Sequence, residues 1–134
     1  MNYDLLTKPL FEKMLDNGRA TAMALANGTE QPDHWPVVKL FNPCGAATWL
    51  LTEIDPDDYS IAFGLCDLGM DCAELGSVSL DELRSIRVGF GLRIERDRHF
   101  EATHSILTYA RAGWKAGRIV TERARLDAVA AGKP

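Results

Sequence analysis

The sequence predicts an α+β domain, a small antiparallel sheet with helices packed on one face. The stretch 36–78 reads as three or four short strands, and in the third of them, 59–66, large apolar and small residues alternate with period two. Two proline turns, at 42–45 and 55–58, interrupt that stretch at strand-length intervals. Connections this short join antiparallel strands, because parallel neighbours need a long crossover. On both sides of the stretch, apolar residues recur at helical spacing.

Taken in order, residues 5–16 read as an amphipathic helix with Leu6, Leu10, Phe11, Met14 and Leu15 in one stripe. Thr7 is a natural cap and Pro9 is tolerated in a first turn. Asn17 and Gly18 read as a helix stop, since both residues tolerate the left-handed conformation. The Ala-rich stretch 19–26 is then a second helical segment or a continuation past a kink. A polar loop rich in breakers follows at 27–34.

The strands come next. Residues 37–41 suit a pleated surface. Asn42, Pro43 and Gly45 occupy the positions a type I turn prefers. Residues 46–54 return as a second strand, with Trp49 expected in the core beside Ala47 and Leu51. Asp55 and Pro56 open the second turn. In the third strand, 59–66, Tyr59, Ile61, Phe63 and Leu65 alternate with Ser60, Ala62, Gly64 and Cys66. One face is large and the other uniformly small, so a helix is expected to approach the small face closely. A loop spans 67–73 and a fourth strand 74–78. Ser79 and Glu82 form a capping box that opens a short helix through about residue 86. Residues 91–96 alternate again and read as one more strand. Thr103 or Ser105 starts a helix with Ile106, Leu107, Ala110 and Trp114 on one face. Residues 118–131 are expected to form a loosely docked helix that frays at 131–134.

A chain of 134 residues is one domain by size. The expected division is a domain over 1–112 and a basic helical extension over 113–134. The net charge of −4 conceals an asymmetry: residues 1–85 carry 5 Lys and Arg against 14 Asp and Glu, while 86–134 carry 10 against 5. No apolar run approaches the roughly 18 residues that span a bilayer. Met1, Asn2, Tyr3 and Asp4 open no apolar leader. Three cysteines in no disulfide-dense pattern suit a reducing compartment. A cytoplasmic protein is expected.

Several motifs carry a resemblance. They are Pro36-Val-Val-Lys-Leu-Phe-Asn-Pro43, Gly45-Ala-Ala-Thr-Trp-Leu-Leu-Thr-Glu53, Ala62-Phe-Gly-Leu-Cys-Asp-Leu-Gly69 and Glu74-Leu-Gly-Ser-Val-Ser-Leu80, with Leu5-Leu-Thr-Lys8 and Asn17-Gly18 before them. Over roughly residues 4–112 the chain resembles the bacterial family called domain of unknown function 2958. The resemblance implies a setting on conjugative plasmids and other mobile elements. It implies no catalytic residues, because the family has none assigned.

The residues themselves assemble no convincing chemistry. Cys66 and Cys72, with Asp67, Asp71, Glu74 and either His99 or His104, invite a metal reading. Five residues separate the two cysteines, though, and structural zinc sites show two close ligand pairs. A Cys-His nucleophile needs a thiolate in electropositive surroundings, yet Asp67 follows Cys66 and Asp71 precedes Cys72. Gly64, Gly69, Gly76 and the 89–91 stretch match no phosphate-binding loop. No metal or other cofactor is expected.

What remains is binding. The expected function is that of a non-enzymatic accessory protein of a mobile element whose partner is a protein. Its candidate surface is acidic and turn-rich: Asp55, Asp57, Asp58, Asp67, Met70, Asp71 and Glu74. The alternatives are a small hydrolase or nucleic-acid-modifying enzyme using Asp67, Glu74 and a histidine, and a nucleic-acid-binding protein using Arg118, Arg123 and Arg125. In that last case Arg93, Arg96, Arg98, Arg111 and Lys115 would share one basic surface with them.

Overall fold

The computed structural model describes residues 5–132. Its elements run α1 (Lys8–Asn27), β1 (Val38–Phe41), β2 (Thr48–Asp55), β3 (Asp58–Asp67), β4 (Ala73–Ser79), α2 (Leu80–Ser85), β5 (Glu95–Arg96), α3 (Ile106–Ala116) and α4 (Arg123–Ala130), with a 3-10 turn at Gly89–Gly91 before β5. The five strands form one sheet in the order β4-β3-β2-β1-β5, and every pairing is antiparallel. The α+β class and the antiparallel sheet are those the alternation and the turns predict.

The helices divide between the two faces of the sheet, where the sequence predicts one covered face. Met14 and Leu15 of α1 and Leu80 and Leu83 of α2 pack with Val38, Leu40, Trp49, Leu51, Ile54 and Ala62. Leu50 and Leu65 point the other way and pack with Tyr109 and Ala110 of α3, Leu126 of α4, and Ile119 and Val120 between those helices. The reason is legible in β2. Trp49, Leu50 and Leu51 are consecutive and all buried, so both faces of that strand need cover.

Three further expectations change. Asn17 and Gly18 do not end a helix: α1 runs unbroken for 20 residues to a left-handed cap at Gly28. Gly18 lies against β2, where a Cβ would run into the Ile54 carbonyl. Beside it the Asn17 amide donates to the Thr52 carbonyl at 2.9 Å. That carbonyl needs a partner because β2 bulges there: Leu51 pairs with Gly64 and Glu53 with Phe63, leaving Thr52 as the extra residue. The Thr52 hydroxyl in turn donates to the Phe63 carbonyl at 3.2 Å. The same bulge explains Gly64, whose Cβ would meet the Leu50 carbonyl. Part of the small face of β3 does meet helices, since Ala62 and Cys66 belong to the α1–α2 side of the core. At Gly64, however, the close neighbour is the strand alongside.

The second change concerns the tail. No boundary falls at 112–113, because α3 passes through it with Ala112 and Gly113 both buried. Nor is α4 loosely docked. Leu126 and Val120 are among the most buried side chains, and His104 Nε2 meets Asp127 Oδ1 at 2.8 Å, tying α4 to the segment before α3. The expected fraying at the extreme end falls largely on Lys133 and Pro134, outside the described residues, as are residues 1–4.

The third is small. Only Glu95 and Arg96 of the 91–96 stretch join the sheet, and Arg87 and Arg93 form an isolated bridge before it. The remaining elements follow their signals. Thr7 caps α1 by accepting from the Leu10 amide, Ser79 caps α2 by accepting from the Glu82 amide, and Asn42 and Asp55 each accept a backbone amide within their turns.

Candidate functional site

The seven acidic-surface candidates do not form one surface. Asp55, Asp57 and Asp58 sit at the β2–β3 turn, while Asp67 ends β3, Met70 and Asp71 lie in the β3–β4 connection and Glu74 lies at the start of β4, all at the other end of β3. The length of β3, at about 3.3 Å per residue, puts roughly 30 Å between the two groups. Several of these acids are occupied by the backbone. Asp55 Oδ1 accepts the Asp57 amide at 2.8 Å. Asp58 accepts both the amide and the hydroxyl of Ser60, and these bonds hold its carboxyl below the usual range.

Asp67 is buried and bridges two segments: Oδ1 accepts the Gly69 amide at 2.8 Å and Oδ2 the Ile119 amide at 3.0 Å. It fastens the end of β3 to the chain between α3 and α4. Each of its oxygens thus holds a backbone amide, and the side chain is buried. Glu74 accepts from the Cys72 thiol at 3.2 Å, and this bond, with burial and the nearby carboxylates, raises the thiol pKa. Burial pushes the Cys66 thiol up to about 11. Neither thiol is activated. Among the described residues, no group of three His, Cys, Asp and Glu side chains is placed to hold a metal ion.

The basic candidates separate as well. Arg118, Arg123 and Arg125 lie after α3 and on α4, which pack by way of α3 on the β3–β4 side of the sheet. Arg96 belongs to β5 on the opposite edge, roughly 19 Å away across four strand spacings. Two of these guanidinium groups are engaged: Arg118 lies 3.7 Å from Glu122, and Arg96 donates to the Leu5 carbonyl at 2.8 Å. The basic half of the sequence is therefore distributed over two edges.

A different arrangement emerges at the end of the sheet that holds Asp67 to Glu74. Three loops meet there. The β1–β2 turn lies in the middle, with Cys44 Sγ donating to the Gly89 carbonyl at 3.5 Å on one side. On its other side Ala46 packs against the position where a Cβ of Gly69 would be. Phe90, between Gly89 and Gly91, is fully exposed, and its φ is +63°. Leu92 beside it is 44 % exposed; Leu68 and Met70 on the neighbouring loop are 57 % and 74 % exposed. Asp71, also at positive φ, and Glu74 flank the apolar residues on one side, and Arg87 and Arg93 on the other. Sequence reasoning finds Met70, Asp71 and Glu74 but misses Phe90, Leu68 and Leu92. The Gly-Phe-Gly spelling is the available signal, since flanking glycines free an aromatic to project from a loop.

Two histidines hold polar contacts elsewhere. His34 Nε2 lies 3.0 Å from the Thr21 hydroxyl, and His104 bridges Thr103 Oγ1 and Asp127. The second contact ties α4 down. The first adjoins a cleft between α1 and the β2–β3 turn, which Thr21 lines.

A family model described as Protein of unknown function (DUF2958) matches residues 5–120, which takes in α3 and the Val120 that packs beneath α4. No curated protein and no solved structure matches the chain.

Proposed function

The chain belongs to the DUF2958 family, and from that membership, which carries no chemistry, we propose that it is a non-enzymatic accessory protein that acts by binding another protein. Its setting is the conjugative or other mobile element that the resemblance implies, and its partner is a host or element protein. The binding surface is the three-loop end of the sheet.

One observation carries this reading. Phe90 holds a left-handed backbone that costs a bulky residue about 1 kcal/mol or more, and no burial of its ring offsets that cost. A strained, fully exposed aromatic on a loop supports a role in a contact outside the fold. Leu92 stands beside it, and Leu68 and Met70 are exposed on the loop across the β1–β2 turn, so exposed apolar residues, with acids and arginines near them in sequence, stand on two of the three loops. Exposed apolar residues of this kind support a protein interface. Nucleic acid would call for a continuous basic surface, and the arginines lie on two edges instead.

Affinity capture from the source cells tests the reading. Wild type is expected to retain a discrete protein in near-stoichiometric amount, and a Phe90→Ser, Met70→Ser double variant of equal melting temperature is expected to lose it. Recovery of the same proteins by both baits, or of none by wild type, would overturn the proposal.

A further inference from the structure

We propose that the cleft between α1 and the β2–β3 turn is a binding site for a small organic cation, a protonated amine or guanidinium group carried on an apolar stem. This site lies at the end of the sheet away from Phe90 and stands independently of the protein-binding surface. Its volume is about 330 Å³, within the range of pockets that take small molecules.

The cleft arises from how α1 docks. Gly18 brings the helix down onto the backbone of β2 at Ile54. Beyond that point the same helical stripe continues as Thr21, Ala22 and Leu25, and these residues line the cleft instead of filling the core. Leu25 is 61 % exposed as a result. Glu53, Phe63 and Ser77 pair directly across β2, β3 and β4, so they form one row on a single face of the sheet. Ile61, two residues along β3, extends that face. It is the face α3 and α4 cover at Leu65, and neither Ile61 nor Phe63 joins that packed cluster.

The chemistry of the lining selects the ligand. Its apolar part is Ala22, Leu25, Ile61 and Phe63, the last an aromatic ring of the kind that attracts cations. Every charged residue in the lining is an acid: Glu53, Asp55 and Asp57. Asp55 and Asp57 belong to the exposed turn, where Asp55 Oδ1 accepts the Asp57 amide, whereas Glu53 is the half-buried carboxylate at the row's end, with the Thr21 hydroxyl bonded to it. Burial raises the Glu53 pKa against the opposing Thr21 hydrogen bond and the proximity of His34, the cost of a carboxylate held short of solvent. A ligand cation would pair with that carboxylate, and its apolar stem would cover Phe63 and Leu25. A carboxylate or phosphate ligand would be repelled.

The test uses the full chain with phenethylamine as probe and 2-phenylethanol, its neutral counterpart, as control. At pH 7.5 the amine is expected to saturate in the millimolar range or below and to shift the amide resonances of Thr21, Leu25, Glu53 and Phe63. The alcohol is expected to bind at least about tenfold more weakly. Glu53→Gln should reduce amine binding to the level of the alcohol. Lowering the pH into the window just above 4.5, where the raised Glu53 carboxyl takes up its proton, should weaken amine binding to wild type. Ala22→Phe, an exposed helix position where the added ring fills the cleft, should abolish both without lowering the melting temperature. Equal binding of amine and alcohol, no saturation of the amine, or amine binding that survives Glu53→Gln would overturn the site.

Discussion

The side chain of Asn17 donates to the carbonyl of Thr52 at 2.9 Å, across 35 residues of sequence, and this bond fixes how the first helix lies on the sheet. The bulge in β2 sets Thr52 outside the ladder and buries it, so its carbonyl has to be met from the helix. Asn17→Ala removes the donor and leaves that acceptor unsatisfied, a loss of about 1–3 kcal/mol. Chemical denaturation measures it, and an unchanged midpoint would place the bond's value near zero.

Much of this architecture is legible in the sequence. Asn42-Pro43 and Asp55-Pro56 announce their turns, and Ser79 with Glu82 announces the cap of α2, because those signals act within four residues. Asn17 and Gly18 mislead for the complementary reason. Their local chemistry ends helices, and only the bulge in a strand 35 residues later shows why they sit inside one. Phe90 is silent likewise, since exposure depends on what the rest of the fold leaves uncovered. The acids at 55–58 and 67–74 flank the strand read at 59–66, so their placement at its opposite ends is legible from that strand's length.

Asp67 and Asp57 separate structural from superficial acids. Asp67→Asn replaces an acceptor by a donor facing the amide of either Gly69 or Ile119, and a loss of about 1.5–3 kcal/mol is expected. Asp57→Asn, on an exposed turn, should stay within about 0.5 kcal/mol of wild type. Thermal melts of the two variants side by side decide it, and equal midpoints would contradict the bridge between β3 and residue 119.

Leu126→Ala tests the role of α4. Truncating a fully buried leucine costs about 2–5 kcal/mol, whereas a loosely docked tail would give almost nothing. Deletion from residue 118 onward is expected to unfold the chain, because Ile119, Val120 and Leu126 all leave the core together.

Glu53 makes stability depend on pH in a defined direction. Burial raises its pKa above the ordinary 4.5, outweighing the opposing hydrogen bond from Thr21 and the proximity of His34. In the window just above 4.5 the folded state therefore binds more protons than the unfolded chain, and stability falls as pH rises through that window. Glu53→Gln should flatten this part of the profile. A profile that keeps its slope in the variant would assign the effect to another group.

Whether Phe90 touches a partner protein is decided most directly by crosslinking at that position. A photoreactive phenylalanine analogue replaces Phe90 and the source cells are irradiated, with the same substitution at Asp57, at the far end of the sheet, as control. One discrete protein adduct is expected from position 90, absent from position 57 and suppressed by Met70→Ser. No adduct at position 90, or the same adducts from both positions, would contradict a partner-binding role for the three-loop surface.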